Sequence, residues 1–499
     1  MEQIRRKIMR KSGVLLPVAS LHSKYGIGCF SKEAYEFVDF LKKAGQSYWQ
    51  LLPLGPTGYG DSPYQSFSTF AGNPYHIDLD GLVKDGYLKK SDLAKIKEES
   101  NEKEVDYGYL YHTRYEILKK AFINSKCQEE KEFQDFCMKE AYWLENYALY
   151  MAIKDRLGGI CWLEWEDDFK KREQKALEQF KQEHSTEIAF YGFQQYLFKK
   201  QWKELKDYAN KKKIKIIGDI PIYVALDSAD AWSHPELFQF DEDYLPTAVA
   251  GCPPDAFSDT GQLWGNPLYR WPYHATTGFT WWIKRIAYCY ELYDVIRIDH
   301  FRGFDEYYAI PYGHPTAEHG EWKQGPGYEF FRRVKSELGE IPVIAEDLGF
   351  LTDSVLELVA QTGYPGMKIL QFAFDAREPS NYLPHNYSQN SVVYTGTHDN
   401  DTTRSWFATI PKSDRQFARK YLGFQGKHEV EWQFIKAALS SVSNTAIIPM
   451  QDYLGLGARG RTNTPSTLGT NWKWRMKSGV LTKELAHRIK DMTKLYGRL

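Results

Sequence analysis

Residues 294–303, Asp-Val-Ile-Arg-Ile-Asp-His-Phe-Arg-Gly, place charged side chains within a β-branched run. The valine and the two isoleucines are typical of a buried parallel strand. Because side chains alternate along a strand, Arg297 and Asp299 are expected on one face, near its carboxyl end. The cation should lower the pKa of the Asp299 carboxyl and keep it ionised. Such a carboxylate indicates catalysis at the end of a barrel strand, although a structural ion pair would give the same pattern.

Three further carboxylates lie at or just after the ends of predicted strands. Asp219 and Glu346 close two of these strands, and Asp399 lies in the Thr-His-Asp-Asn segment that follows another. The carboxyl ends of parallel barrel strands meet at one face, so these groups should converge with Asp299. Retaining cleavage of a glycosidic bond needs a nucleophilic carboxylate and a protonated carboxyl about 5–5.5 Å apart. Asp299 and Glu346, at the ends of adjacent strands, can supply that pair.

Eight strand-like runs must position these carboxylates, and most of the runs are separated by helical segments. The strands are predicted at 13–19, 48–52, 214–219, 295–298, 341–346, 367–372, 392–397 and 445–450. This alternation predicts a closed (β/α)₈ barrel, the TIM barrel. A doubly wound open sheet is the alternative, but no G-x-G-x-x-G motif follows the first strand.

Two stretches depart from this alternation and are predicted as insertions in a single catalytic unit, residues 1–499. Residues 80–210 are rich in Lys, Glu, Leu and Tyr at helical spacing, which predicts a helical insertion between strands 2 and 3. Residues 220–285 are irregular and predict a lid between strands 3 and 4. The long, aromatic loop 54–75 has a length typical of functional loops. No separate C-terminal β-sandwich is expected.

Composition narrows the class of protein. Aromatic residues make up 16% of the chain, with 15 Trp and 35 Tyr. Aromatic rings suit carbohydrate ligands, although a large aromatic core would give the same figure. A formal net charge of −1 without a long basic run argues against nucleic acid and membrane partners. Six cysteines without C-x-x-C pairs argue against zinc and a disulfide framework, and indicate a reducing, cytoplasmic location.

Other kinds of site fit the motifs less well. His398, Asp399 and Asp401 offer atoms for a metal, but the two-His-one-carboxylate spacing is absent, so no metal site is predicted. Neither a G-x-S-x-G nucleophile motif nor a Walker A loop is present. Asp347 follows Glu346 directly and should point to the opposite face of its strand, which favours a structural role.

Three motifs resemble conserved regions of the α-amylase superfamily. They are Arg-Ile-Asp-His-Phe-Arg at 297–302, Ala-Glu-Asp-Leu-Gly at 345–349 and Thr-His-Asp-Asn at 397–400. More narrowly, the runs LPLGPTGYGDSPYQSFSTFAGNPY, GDIPIYVALDSAD, TGQLWGNPLYRW, RTNTP and NWKWR resemble the 4-α-glucanotransferases of glycoside hydrolase family 77, also called amylomaltases or disproportionating enzymes. This resemblance covers nearly the whole chain, in order.

The resemblance implies retaining transfer of an α-1,4-glucan segment from a donor maltooligosaccharide to the 4-OH of an acceptor glucose or maltooligosaccharide. It implies Asp299 as the nucleophile, Glu346 as the general acid and then base, and Asp399 as the group that holds hydroxyls of the distorted sugar. The implied substrate-binding residues are Arg297, His300 and His398 at the cleavage site, Tyr59, Ser62, Tyr64, Asp219 and Asn463 on the donor side, and Phe257, Trp264 and Phe372 on the acceptor side, with Asn266 in the lid run. The family uses no metal or organic cofactor, so none is expected.

The carboxylates alone leave two other functions open. One is an α-1,4-glucan hydrolase of amylase type, and the other is a catalytically inactive glucan-binding or regulatory protein. One lid position departs from the family, because Ala256 stands where an aromatic residue is usual between Pro-Pro-Asp and Phe257. The expected partners are maltooligosaccharides, α-1,4-glucan and glucose, and the expected assembly is a monomer or homodimer.

Overall fold

The computed structural model describes residues 10–58, 60–94, 96, 103–254, 258–349, 351–426 and 429–499. The strands in this part of the chain are β1 Lys11–Leu15, β2 Tyr48–Gln50, β3 Lys215–Ile220, β4 Ala248–Cys252, β5 Gln262–Pro267, β6 Val295–Ile298, β7 Glu306–Pro311, β8 Glu321–Gln324, β9 Val343–Ala345, β10 Gly366–Ile369, β11 Ser391–Tyr394 and β12 Thr445–Pro449. Eight of them, β1, β2, β3, β6 and β9–β12, pair in parallel and close into a barrel. The predicted TIM barrel is confirmed, and each predicted strand overlaps one barrel strand.

Helices follow most barrel strands. Those in the described residues are α1 Lys32–Lys43, α2 Leu79–Lys84, α3 Tyr107–Ser125, α4 Lys131–Arg156, α5 Asp167–Lys170, α6 Gln174–Glu183, α7 Ser185–Lys211, α8 Ala229–Ser233, α9 Trp271–Thr276, α10 Thr280–Leu292, α11 Gly327–Leu338, α12 Asp353–Thr362, α13 Thr403–Thr409, α14 Lys412–Leu422, α15 Val430–Ser440, α16 Met450–Tyr453 and α17 Lys483–Leu495. The helices α2–α7 lie between β2 and β3, in the stretch whose composition predicts a helical insertion. None of the helices in the described residues is both long and apolar enough to cross a membrane.

Alternation along the strands separates two apolar layers. In β12, Ile447 belongs to a cluster built from several barrel strands, whereas Ala446 and Ile448 pack in the larger cluster that includes the surrounding helices. The first cluster is therefore the barrel interior. In β6 the interior position is Arg297 instead of an apolar residue, and its Nε lies 3.4 Å from Sδ of Met367 in that cluster. A buried cation thus stands inside the barrel, below the ends of the strands.

A second, antiparallel sheet has the strand order β5-β4-β7-β8. Its strands come from the segments on either side of β6, so it joins the loop after β3 to the loop after β6. These four strands are absent from the sequence-based prediction, which treats 220–285, the stretch that contains β4 and β5, as irregular. All four strands are short, and Ala248–Cys252 and Gln262–Pro267 contain glycine or proline, which hides the period-2 pattern of a strand.

Candidate active site

Asp299 and Glu346 leave two neighbouring strands at the same level of the barrel. The parallel ladder between β6 and β9 pairs Ile298 with Ala345, so Asp299 and Glu346 are the next facing residues. Backbone hydrogen bonds continue both ladders of β6, because Glu346 N donates to Ile298 O at 3.1 Å on the β9 side and Asp299 N donates to Ile220 O at 2.9 Å on the β3 side. Neighbouring strands lie about 4.8 Å apart. This spacing suits the carboxyl separation of a retaining mechanism, about 5–5.5 Å.

Arg297 is the buried cation that two carboxylates share. Its Nη1 lies 2.7 and 2.8 Å from the two Oδ atoms of Asp219 and 3.0 Å from Oδ1 of Asp299. Tyr64 Oη also donates to Asp219 Oδ2, at 2.7 Å. The side chain of Asp219 has no exposed surface, whereas 28% of the Asp299 side chain is exposed. Asp299 is therefore the carboxylate that a ligand can reach, and Asp219 is the partner that holds Arg297 in place.

The pKa of Asp299 lies above its usual range. Burial is the main cause, and the negative charges of Asp219 and Asp399 raise this pKa further. Arg297 lowers it, as the sequence predicts, but does not outweigh burial. The predicted net lowering is wrong because the two residues are more deeply buried than the sequence shows, and because Arg297 is shared with Asp219.

Glu346 has two backbone donors. Its Oε2 accepts from His300 N at 2.7 Å, and its Oε1 accepts from Leu348 N at 2.9 Å. Burial raises the pKa of Glu346, the positive charge of Arg297 lowers it in part, and the charge of Asp299 raises it, as the sequence predicts. The ion pair with Arg297 favours ionisation of Asp299 more than the neutral N–H groups favour ionisation of Glu346. When the pair carries one proton, Glu346 therefore keeps it.

Asp399 lies in the loop after β11, and 44% of its side chain is exposed. Asn463 Nδ2 donates to Asp399 Oδ1 at 2.6 Å, and His398 Nε2 lies 3.3 Å from Oδ2. Arg461 donates to the backbone carbonyl of Asp399 at 2.9 Å. Two loops thus fix this carboxylate while it stays open to a ligand.

Aromatic rings border the carboxylates on the side of Asp219. The ring of His398 stacks on Tyr64, with centroids 5.2 Å apart and an interplanar angle of 13°. Trp472 packs against both rings, at 5.9 Å from Tyr64 and 6.0 Å from His398. Ser62 Oγ accepts from Tyr64 N at 3.2 Å, which fixes the loop that carries the tyrosine. The structure therefore brings Ser62, Tyr64 and Asp219, which are predicted to lie on the donor side, together with His398.

His300 and Trp264 lie beside Glu346, whose Oε2 accepts from His300 N. Their ring centroids are 4.8 Å apart, and the rings meet edge to face. Burial lowers the pKa of His300 to about 3, so the imidazole is neutral near pH 7. Its Nε2 is buried and has no hydrogen-bond partner among the described residues. Because a buried polar atom of this kind favours a partner, a sugar hydroxyl at this position would satisfy it.

Two predicted binding residues, Asn266 and Phe372, have side-chain contacts within the protein. Asn266 Nδ2 donates to Val224 O at 2.7 Å, and Asn266 Oδ1 accepts from Gln65 Nε2 at 3.0 Å. Phe372 packs edge-on against Tyr382, with centroids 5.5 Å apart. The contacts of Asn266 and Phe372 with a sugar stay predictions.

Four other residues named in the sequence analysis are not assigned to the candidate site by the structure. Tyr59, Ala256 and Phe257 lie outside the described residues. Asp347 has the structural contacts that its position predicts, because its Oδ1 accepts from Met367 N at 2.6 Å and it is buried. Asp347 therefore joins β9 to β10 beside the candidate site.

Comparisons with known proteins identify the family of the chain over most of its length. The family model described as 4-alpha-glucanotransferase matches residues 16–482. The chain belongs to the 4-alpha-glucanotransferase family. It is 50% identical over 483 residues to the 4-alpha-glucanotransferase of Clostridium butyricum, covering 96% of this chain and 99% of that relative. It is 47% identical over 504 residues to that of Thermus thermophilus, covering 99% and 100% of the two chains.

Solved structures extend the comparison to the fold. The amylomaltase from Streptococcus agalactiae in complex with acarbose is 43% identical, has a TM-score of 0.95, and is matched over 98% of this chain and 99% of that chain. The amylomaltase from Corynebacterium glutamicum is 19% identical, with a TM-score of 0.81 and coverage of 97% and 75%, and shares the fold.

Three residues at the candidate site are missing from the sequence-based prediction, namely Gln65, Arg461 and Trp472. Each lies in a run that resembles the family, but nothing in the run distinguishes that residue from its neighbours. Glutamine, arginine and tryptophan carry no catalytic signature by type. Their contacts with Asn266, Asp399 and the rings of Tyr64 and His398 arise only from folding.

The charges at the site predict a pH dependence for the transfer reaction. We expect kcat/KM to rise with pH as Asp299 ionises and to fall as Glu346 loses its proton, with both limbs at higher pH than for ordinary carboxyls. Asp219→Asn removes a charge that raises the pKa of Asp299 and frees Arg297 for Asp299. The acid limb should therefore move to lower pH, by about 1 unit.

The test of this prediction is the pH profile of kcat/KM on maltotriose for the two proteins. The position of the acid limb does not depend on how far Asp219→Asn lowers the absolute rate. Asp294→Asn is the matched control, because Asp294 lies at the other end of β6, where its Oδ2 accepts from Ile216 N at 2.7 Å. An acid limb that stays in place or moves to higher pH in Asp219→Asn would contradict this view of the charges.

Proposed function

We propose that this chain transfers a segment of an α-1,4-glucan from a donor maltooligosaccharide to the 4-OH of an acceptor glucose or maltooligosaccharide, with retention at C1. The observation that carries the proposal is the unlike environment of two facing carboxyl groups. Asp299 is ion-paired with Arg297, whereas Glu346 is held by backbone N–H groups. Membership of the 4-alpha-glucanotransferase family favours transfer over hydrolysis of the same bond.

In the first step, an oxygen of Asp299 attacks C1 of the donor sugar while Glu346 gives its proton to the glycosidic oxygen. The C1–O bond breaks, an ester bond from C1 to Asp299 forms, and the leaving chain departs as a neutral alcohol. Ester formation removes the charge of Asp299. The repulsion from Asp219 and Asp399, which raises the pKa of Asp299, is relieved at the same time.

In the second step, the acceptor 4-OH gives its proton to Glu346 and its oxygen attacks C1, which breaks the ester and restores the Asp299 carboxylate. Two inversions at C1 give net retention. Because Asp299 carries no charge in the ester, one cause of the raised pKa of Glu346 is absent in the intermediate. Glu346 is an acid in one step and a base in the other for this reason.

Asp399 is the group that holds hydroxyls of the reacting sugar. Its carboxylate is partly exposed and can contact a ligand, while Asn463 and His398 contact the same carboxylate and fix its position. Burial lowers the pKa of His398, so a neutral imidazole stands beside Asp399. Hydrogen bonds that strengthen as the sugar distorts lower the barrier because they are made in the transition state.

Transfer requires an acceptor that reaches C1 before water does. Trp264 offers an aromatic face beside His300, and His300 N contacts Glu346, so a sugar stacked there lies next to the acid/base. We place the acceptor at this wall, and the acceptor contact of Phe257 stays a prediction from the sequence. Positioning of an acceptor can lower the barrier by several kcal/mol, which is roughly what selectivity against water requires.

Incubation with pure maltotriose tests the activity directly. We expect glucose and longer maltooligosaccharides, with little net gain of reducing ends, because each transfer breaks one glycosidic bond and forms another. Chromatography of the products and a reducing-end assay measure these two quantities separately. A gain of reducing ends equal to the bonds cleaved would show a hydrolase, and unchanged maltotriose would show a binding protein.

The proposal also covers the organisation and location of the enzyme. We infer a single catalytic unit in which residues 80–210 and 220–285 are insertions, acting as a monomer or homodimer in the cytoplasm on soluble maltooligosaccharides, α-1,4-glucan and glucose. Six cysteines without a disulfide in the described residues fit a reducing compartment.

A further inference from the structure

Gln451 and Asp452 are adjacent buried residues in α16, directly after β12. A substrate can reach neither the amide of Gln451 nor the carboxylate of Asp452. Their exposed fractions are 6% and 2%. Both side chains point into hydrogen-bond networks with loops that are distant in sequence. Their contacts differ, because each residue holds a different loop.

Asp452 holds both ends of the loop that carries Asp399. Its Oδ2 accepts from Thr395 Oγ1 at 2.5 Å and from Thr403 Oγ1 at 2.6 Å, and its Oδ1 accepts from Thr403 N at 2.9 Å. Thr395 follows the last residue of β11, and Thr403 is the first residue of α13. One carboxylate therefore fixes the two ends of residues 395–403, and His398 and Asp399 lie between them.

Gln451 holds the second loop at the site, residues 458–463. Its Nε2 donates to Gly460 O at 3.2 Å and to Thr462 Oγ1 at 2.9 Å. Arg461 and Asn463 lie next to these anchors, and both contact Asp399. Asn463 N also donates to His398 O at 3.1 Å, which joins the second loop to the first.

We propose that Gln451 and Asp452 are positioning residues that fix the carboxylate of Asp399 against the reacting sugar. They anchor the two loops from one rigid point, the end of β12, and the loops meet at Asp399. This inference rests on the proposed role of Asp399 in holding the distorted sugar. Neither Gln451 nor Asp452 touches the substrate, so both act through Asp399, His398 and Asn463.

The expected effect follows from the geometry. A misplacement of a catalytic group by about 1 Å can lower a rate on the order of 100-fold. Loss of the Gln451 anchors leaves the 458–463 loop with fewer contacts, and Asn463 then fixes Asp399 less well. Because Asp399 acts on the distorted sugar, the loss should appear mainly in kcat and less in KM.

Gln451→Met tests the proposal, because methionine keeps the length of the side chain and removes both donated hydrogen bonds. The matched control is Gln46→Met. Gln46 is also buried and also donates to a carbonyl and a threonine hydroxyl, Ala44 O and Thr493 Oγ1, both at 3.0 Å, but it precedes β2 at the opposite end of the barrel. Each variant is assayed with maltotriose, and its thermal unfolding midpoint is measured.

We expect Gln451→Met to lower kcat at least 10-fold with KM changed less than threefold, and Gln46→Met to leave both constants near those of the parent at a similar loss of unfolding midpoint. In an Asn463→Ala background, the additional effect of Gln451→Met should fall to less than threefold, because the contact through which it acts is already gone. Equal kinetic effects of the two methionine variants, or full additivity with Asn463→Ala, would overturn the proposal and leave a purely structural role.

Two further variants separate this proposal from the proposed role of Asp399. Asp452→Asn keeps the shape and most hydrogen bonds, so it should lower kcat less than Asp452→Ala, which removes all three contacts. Asp399→Asn should remove nearly all transfer. If Asp399→Asn kept its activity, the role of Asp399 would be wrong; if Asp399→Asn were inactive and Gln451→Met and Asp452→Ala were unchanged in kcat, only the positioning would be wrong.

Discussion

Replacing Asp299 by asparagine should lower transfer by about four orders of magnitude or more and leave the barrel folded. An amide is a poor nucleophile and carries no charge, so it can neither form the ester nor stabilise charge at C1. The stability of the fold should not fall. The pKa of Asp299 is raised by burial and by the charges of Asp219 and Asp399, so its carboxylate is unfavourable at this position and the substitution removes it. The measurements are kcat on maltotriose and the thermal unfolding midpoint.

The control for this prediction is Asp294→Asn, at the start of the same strand. Asp294 Oδ2 accepts from Ile216 N at 2.7 Å and from Asn210 Nδ2 at 2.8 Å, so the carboxylate is structural. We expect this variant to keep its activity. More than about a tenth of the parent kcat in a folded Asp299→Asn would remove Asp299 from the role of nucleophile.

A rescue experiment tests directly whether the nucleophile acts from position 299, in addition to the loss of activity in Asp299→Asn. Asp299→Ala leaves space on the face of C1 from which the carboxylate attacks. Azide can enter this space and attack α-maltosyl fluoride, forming a C–N bond as fluoride leaves. The product should be the β-azide, with a single inversion. An α-azide, or no azide dependence, would indicate that attack at this face does not come from position 299.

The sequence predicts the barrel well because its signals are local. Most barrel strands contain a short apolar or β-branched run, as in Thr445–Pro449. Such a run favours a strand through its own residues and can be recognised without knowledge of its tertiary contacts. The candidate carboxylates are predicted for the same reason, since Asp219, Asp299 and Glu346 each stand at the end of a run. A closed barrel then places all strand ends on one face, which brings the groups together without further information.

What the sequence could not predict depends on contacts between distant segments. Arg297 stands two residues from Asp299, which suggested a simple pair, but its closest contacts are to Asp219, on another strand. The sign of the pKa shift of Asp299 follows from that sharing and from burial. Gln451 and Asp452 gave no signal either, because their partners are backbone groups and threonines of two loops.

The role of Glu346 as general acid is best tested with a glycosyl donor whose leaving group does not need protonation. Glu346→Gln removes the proton donor and should lower transfer from maltotriose by two to four orders of magnitude, roughly the contribution of general acid catalysis. α-Maltosyl fluoride has a leaving group that departs with little protonation, so it should still react with Asp299. The second step needs a base to activate the acceptor, so the ester should accumulate. Mass spectrometry of the intact protein and of its peptides should find a maltosyl adduct on Asp299.

The control variant is Asp347→Asn, which changes the neighbouring carboxylate. Asparagine at 347 can still accept from Met367 N, so activity on maltotriose should remain and no adduct should accumulate. Glutamine at 346 can accept from only one of His300 N and Leu348 N, so a loss of stability of about 1–3 kcal/mol is expected as well, and adduct formation is measured below the unfolding transition. The adduct separates this loss from the loss of the proton donor, because only a correctly folded site forms it. An adduct on a residue other than Asp299, or equal loss of activity on the fluoride and on maltotriose, would contradict the assignment of Glu346 as the acid and of Asp299 as its nucleophilic partner.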